Sequence, residues 1–283
     1  MKEGAVKWVK RVMGTVEWLI KPPRYQKDDL LVLCYHATPT HWLESFEQQI
    51  VWLKQKGFKF MRPSEIDPFY EGKQTNGPYV LFTFDDGLAN NLHAAAVLER
   101  HGAKAVFFLV PGFMETPQEG QATYYQRNIR PEIDPDFEPI EERCAMTVDE
   151  VKFLLKNEHA IGAHTFTHTL VADELDIKKV EHEVLGSKNR LQEMFGLEIK
   201  SFCSINQTDL SVGPIAAELI RTNYVRHYTT FPGVNQSSDS QRCIYRRNTE
   251  VNWSQGEFKF AVGRWMLRRW ASRIANARAN LRL

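Results

Sequence analysis

The sequence predicts an α/β protein built as a (β/α) barrel with fewer than eight strands, an open doubly wound sheet being the alternative. Three observations lead there. Short, continuously apolar runs recur, as expected of strands covered on both faces of a parallel sheet. Stretches with helical periodicity alternate with them, and glycines stand where those helices should stop.

In order, Val6, Val9, Met13, Val16 and Ile20 recur at helical spacing and predict an amphipathic helix ending before a Pro22-Pro23 hinge. Leu30 to Cys34 is the first strand, ending in Tyr35-His36. A helix over Ser45 to Lys56 stops at Gly57, a strand covers Tyr79 to Phe84, and a helix over Asn91 to His101 stops at Gly102. A strand at Ala105 to Val110 precedes a long stretch, Pro111 to Ala145, with no clear period. Helices at Thr147 to Lys156, Ile177 to Phe195 and Pro214 to Thr222 then alternate with strands at Ala160 to Ala163, Ile199 to Ser204 and Val225 to Thr230, and Cys243 to Arg247 reads as the last strand. Three parts follow: residues 1–27, a helix and hinge; residues 28–257, the barrel; residues 258–283, a basic C-terminal helix with an apolar stripe of Met266, Trp270, Ile274, Ala277 and Leu281.

The chain of 283 residues, 43% hydrophobic and 12% aromatic, can bury a full core. Its charge is unevenly spread. Residues 1–27 hold seven Lys/Arg and two acids and residues 259–283 hold seven and none, which leaves 22 bases and 33 acids between them. An acidic body excludes the basic face of a nucleic-acid reader, while basic, Trp-containing ends fit helices lying on an anionic membrane surface. The longest uncharged stretch near the start, Val12 to Val16, is too short for the apolar part of a signal peptide, so the expected location is the cytoplasm, peripheral at the inner face of the membrane. Cys34, Cys144, Cys203 and Cys243 are scattered and read as free thiols.

In a parallel barrel the chemistry sits where strands end at their C-terminal side. One strand runs into Asp85-Asp86-Gly87, and another into His164-Thr165-Phe166-Thr167-His168. Alone, the first could be a polar turn and the second a pair of structural histidines. Together, a carboxylate and two imidazoles make a three-ligand metal site with a position open for water, and they leave a second carboxylate to act as base. A helical turn would bring the two histidines, four residues apart, onto one face.

Thr83-Phe84-Asp85-Asp86-Gly87 with His164-Thr165-x-x-His168 resembles the first two motifs of the polysaccharide deacetylase (NodB-homology, carbohydrate esterase 4) family. The likeness extends over roughly residues 30–250, through Tyr35-His36, the Phe46 to Phe58 segment and Met146-Thr147. It implies a distorted (β/α)7 barrel, flanked here by amphipathic terminal helices. It also implies Asp85 as general base, Asp86, His164 and His168 as ligands, and Zn²⁺ as the ion. Two family features lack a counterpart: Ser204 to Thr208 replaces an Arg-x-Pro-Tyr segment, and no late Leu-x-His supplies an acid. His36 and His227 are the replacement candidates for the acid, and Arg246 and Arg247 for the cation beside Asp85.

The resulting expectation is a metal-dependent amide hydrolase that removes the N-acetyl group of an amino sugar in a glycan or glycan precursor, with a carbohydrate substrate that the basic ends would suit to lipid linkage. The alternatives are a deformylase or other deacylase on a lipid-linked sugar, and a catalytically degenerate sugar-binding barrel. Tyr124, Tyr125, Arg127 and Arg130 in the Pro111 to Ala145 stretch are expected to cover the site.

Overall fold

The computed structural model describes residues 2–20, 22–74, 76–130, 142–172, 175–205 and 212–263. Its strands are β1 (Asp29–Tyr35), β2 (Lys59–Phe60), β3 (Tyr79–Phe84), β4 (Ala105–Leu109), β5 (Ala160–Ala163), β6 (Ser201–Cys203), β7 (Arg226–Tyr228), β8 (Asn235–Gln236) and β9 (Arg247–Asn248). The helices are α1 (Lys2–Ile20), α2 (Leu43–Gln55), α3 (Ile66–Tyr70), α4 (Asn91–Arg100), α5 (Pro111–Met114), α6 (Gln118–Tyr124), α7 (Val148–Lys156), α8 (Ile177–Glu181), α9 (Ser187–Phe195), α10 (Pro214–Asn223) and α11 (Gln255–Ala261).

The sheet runs β7-β6-β5-β4-β3-β1 with every neighbouring pair parallel. All residues of β1, β3 and β4 are buried, because helices cover one side and the barrel interior the other. The sheet curls until its ends are joined by one segment: Ile244 bridges Tyr228 of β7, and Arg247 pairs with Leu33 of β1. Six parallel strands and this joining segment make the distorted barrel of seven staves. All seven end on the same mouth, which is where His36, Asp85, His164, Ser204 and Asn248 emerge.

Several boundaries differ from the sequence reading. The Pro111 to Ala145 stretch is not irregular where it is described: α5 and α6 lead into a π-helical turn at Tyr125–Ile129, and Phe113 stacks on Tyr124 with ring centres 5.3 Å apart. Polar residues on short helices hide the 3.6-residue period. The predicted helix over Ile177 to Phe195 contains a second π-helical turn, His182–Gly186, between α8 and α9. The last strand sits later than Cys243 to Arg247, pairing with β1 only at Arg247–Asn248. α11 crosses the expected boundary at residue 257 and packs on α1. The C-terminal stripe from Met266 to Leu281 lies outside the described residues. Of the four free thiols, Cys34, Cys203 and Cys243 are buried and Cys144 is half-buried.

Candidate functional site

β3 delivers the two carboxylates. The Asp85 amide N–H donates to the Tyr35 carbonyl at 2.9 Å, continuing the β1–β3 ladder one residue past the strands. The chain then turns through left-handed geometry at Asp86 (φ 73°) and Gly87 (φ 71°). Left-handed backbone costs an ordinary residue roughly 1 kcal/mol or more and persists where surrounding structure imposes it. A side chain at Gly87 would in addition press on Leu109.

Asp85 is buried against Arg246 in a two-pronged ion pair: Nη1 lies 2.7 Å from Oδ1 and Nη2 2.8 Å from Oδ2. The Arg246 guanidinium also donates through Nη2 to Cys203 Sγ, through Nη1 to Thr83 Oγ1 and through Nε to the Thr229 carbonyl. Burial alone would raise the Asp85 pKa, but the Arg246 charge outweighs it and holds the carboxyl below its ordinary range. Burial pushes the neighbouring Cys34 and Cys203 thiols well up, so both stay neutral. Strand alternation predicts one inward arginine at the barrel closure. It is Arg246, while Arg247 points away and its guanidinium nitrogens find no hydrogen-bond partner among the described residues.

Asp86 turns toward the histidines instead. Its Oδ1 lies 3.2 Å from His168 Nε2 and 3.6 Å from His164 Nε2. Each imidazole is held from behind: His164 Nδ1 donates to the Cys203 carbonyl at 2.9 Å and His168 Nδ1 to the Asn128 carbonyl at 2.8 Å. A carbonyl can only accept, so both Nδ1 atoms carry a proton and each ring presents its Nε2 to Asp86. Buried Asp86 Oδ1 accepts no hydrogen bond of good geometry from the described residues. A buried carboxylate oxygen facing two imidazole Nε2 atoms, each ring held from behind through Nδ1, is a donor set that fits a divalent cation such as zinc. Asp86, His164 and His168 form one of three groups with metal-ligand spacing among the described residues. The other two both need Asp85, whose two oxygens Arg246 already engages.

The helical turn that would set the two histidines on one face does not form. The loop is irregular, with Thr165 (φ 59°) and His168 (φ 64°) in left-handed backbone. It is held by Glu183, which the sequence reading missed. That buried carboxylate accepts from the Phe166 and Thr167 amides, each at 2.9 Å, and from Thr167 Oγ1 at 2.6 Å.

His36 Nε2 lies 4.0 Å from Asp85 Oδ2 and faces the mouth. A cleft of about 200 Å³ opens there, lined by His36, Asp85, Asp86, His164 and His168, with Arg130, Ser204, Thr230, Asn248 and Glu250 among its walls. His227 does not line it. That ring is buried, hydrogen-bonded to Ser204 Oγ, and burial followed by the Arg246 charge lowers its pKa to about 3. Arg130 reaches the cleft from the helical insertion, whereas Tyr125 is buried, Tyr124 packs on Phe113 and Arg127 is exposed.

Residues 72–205 match the family model described as polysaccharide deacetylase. The matched stretch, a little under half of the chain, carries Asp85, Asp86, His164 and His168. Among solved structures, IcaB from Ammonifex degensii is 22% identical with a TM-score of 0.61, over 85% of this chain and 98% of that one. The Streptococcus pyogenes deacetylase PplD in complex with acetate is 17% identical with a TM-score of 0.60, over 84% and 97%. The BpsB deacetylase domain from Bordetella bronchiseptica is 16% identical with a TM-score of 0.61, over 81% and 98%. At these identities the likeness concerns the fold alone, a curled parallel (β/α) barrel. No curated protein matches the sequence.

Proposed function

We propose that the protein is a metal-dependent deacetylase that hydrolyses the N-acetyl group of an amino sugar in a glycan or glycan precursor. The observation that carries this reading is the pairing of two carboxylates with opposite surroundings, Asp85 engaged by Arg246 and Asp86 left open to two oriented imidazoles. In this reading Asp86, His164 and His168 hold a divalent ion, Zn²⁺ by its preference for such donors. The bound ion supplies Lewis acidity for the amide carbonyl and lowers the pKa of the attacking water.

The chain's own groups do the rest. Asp85, kept ionised and oriented by Arg246, takes a proton from water as its oxygen bonds to the amide carbon. His36 gives a proton to the nitrogen as the C–N bond breaks, which yields acetate and a free amine. Asn248, Glu250 and Arg130 present hydrogen-bonding groups to a polyhydroxylated substrate from the cleft walls. Retention of base, orienting cation and full donor set favours turnover over a degenerate sugar binder. The test is mass spectrometry on a panel of N-acetylated and N-formylated sugars, free and lipid-linked, with metal-loaded protein. A mass loss equal to that of an acetyl group, with a new amine, supports the reading; loss from formyl substrates alone favours the deformylase.

A further inference from the structure

We infer that α1 is a docking face for an anionic lipid surface. One side of this helix packs on α11: Gly14 and Gly256 let the two backbones meet, Trp18 Nε1 donates to the Lys259 carbonyl at 2.9 Å, and Arg11 Nε donates to Ser254 Oγ at 3.1 Å. Among the described residues nothing packs on the opposite side. Val9, Val12, Met13, Val16, Leu19 and Ile20 project from it, 37% to 79% exposed, and Trp8 stands at its margin, 63% exposed. These positions recur at three- and four-residue steps, and the charged Lys7, Lys10, Arg11 and Glu17 fall off the stripe. A soluble surface seldom carries so continuous an apolar band without a partner.

Charge selects the partner. Residues 1–27 hold seven bases against two acids, and residues 264–283, which follow α11, hold six arginines and no acid. A second copy on this face would bring like charges together, whereas anionic headgroups neutralise them while the apolar side chains enter the acyl boundary. Trp8 has the amphipathic ring suited to that depth. Among the described residues no helix is long and apolar enough to cross a membrane, so the helix would lie in the surface plane. This inference stands apart from the chemistry at the cleft.

The experiment is sedimentation of the full chain with vesicles of phosphatidylcholine alone and of phosphatidylcholine with phosphatidylglycerol at roughly 7:3, at roughly 0.1 M salt. Wild type should pellet with the anionic vesicles and bind pure phosphatidylcholine about tenfold or more weakly. Val9→Glu with Val16→Glu should cost at least about tenfold in binding to the anionic vesicles and leave the melting temperature unchanged, because both side chains are exposed. Leu19→Ser with Ile20→Ser repeats the test should the glutamates disturb folding. Wild type that ignores anionic vesicles, binds both compositions equally, or forms a dimer that the double variant abolishes without any lipid binding would overturn the inference.

A different observation carries a second proposal, which rests on the metal reading: we propose Glu183 as a positioning residue for the ligand loop. Two π-helical turns meet the loop that bears His164 and His168. Tyr125–Ile129 offers the Asn128 carbonyl to His168, and His182–Gly186 offers Glu183 to three donors of Phe166 and Thr167. π-helical turns of this kind recur at functional sites. The Glu183 bonds tie the loop between Thr165 and His168, both in left-handed backbone, and so fix where the two Nε2 atoms aim.

Competition against a chromophoric chelator measures zinc affinity, and apo-protein melting separates positioning from folding. Glu183→Ala should weaken zinc binding about 10- to 100-fold, while Glu183→Gln, which keeps an acceptor, should recover much of it. The cobalt absorption spectrum should change in Glu183→Ala and stay close to wild type in Glu183→Gln. Wild type without stoichiometric zinc would sink the metal reading itself. Wild-type zinc affinity and cobalt spectrum in a folded Glu183→Ala would sink only this proposal.

Discussion

Arg246 and Asp85 face each other in the barrel interior, with Nη1 2.7 Å from Oδ1 and Nη2 2.8 Å from Oδ2, and join the strand segment that closes the barrel to the end of β3. The pair couples closure of the fold to the charge of the proposed base. Arg246→Met should cost roughly 3–5 kcal/mol of stability, since it leaves a buried carboxylate without its partner. It should also lower turnover at least about tenfold, because Asp85 then ionises less readily. Arg246→Lys should fall between, since an ammonium restores charge but not the two-pronged geometry. Denaturant melts and steady-state rates check both.

Removing a proposed ligand and removing the proposed base should give different signatures. His164→Ala or Asp86→Ala should lose bound zinc and activity together. Asp85→Asn should keep stoichiometric zinc while turnover falls about 10²- to 10⁴-fold. Metal analysis by plasma mass spectrometry separates the cases, and zinc loss in Asp85→Asn would place Asp85 among the ligands.

The two acid candidates differ in access. His36 faces the cleft, and His227 is buried against Ser204. His36→Gln should therefore lower turnover about 10²-fold, with little change in KM. His227→Gln should act mainly on stability. Comparable kinetic losses in both variants would contradict the assignment.

Far from the cleft, His159 accepts a hydrogen bond on Nδ1 from the Ala105 amide at 3.0 Å. Burial, with help from Lys104, lowers its pKa from 6.5 to about 4. The folded state thus prefers the neutral ring, and the unfolded chain binds the extra proton between those values. The corresponding stability is complete above pH 6.5 and is lost as pH falls toward about 4. The loss should amount to a few kcal/mol at most. His159→Asn, which keeps an acceptor for Ala105 but cannot titrate, should flatten the slope of unfolding free energy over that window. An unchanged slope would remove His159 as the cause.

The parallel sheet was legible because its main strands are unbroken apolar runs, and the cleft because Asp85-Asp86 and His164 stand at the ends of such runs. Arg246 was legible as one of two adjacent arginines, by alternation and closure, but only packing tells it from Arg247. Glu183 left no trace, since it reads like its helical neighbours Glu181 and Glu193 and its burial depends on a π-helical turn that no local residue pattern announces. The helices within Pro111 to Ile129 were equally hidden, being short and held by tertiary contacts such as Phe113 on Tyr124.

Acetate release from N-acetylglucosamine oligomers, followed alongside the appearance of free amine, tests the central claim most directly. Zinc-loaded wild type should release acetate and amine in equal amounts, and zinc-loaded Asp85→Asn should do so about 10²-fold or more slowly. Zinc-loaded wild type releasing neither product from these oligomers or any other N-acetylated glycan, or Asp85→Asn keeping pace with it, would contradict the account.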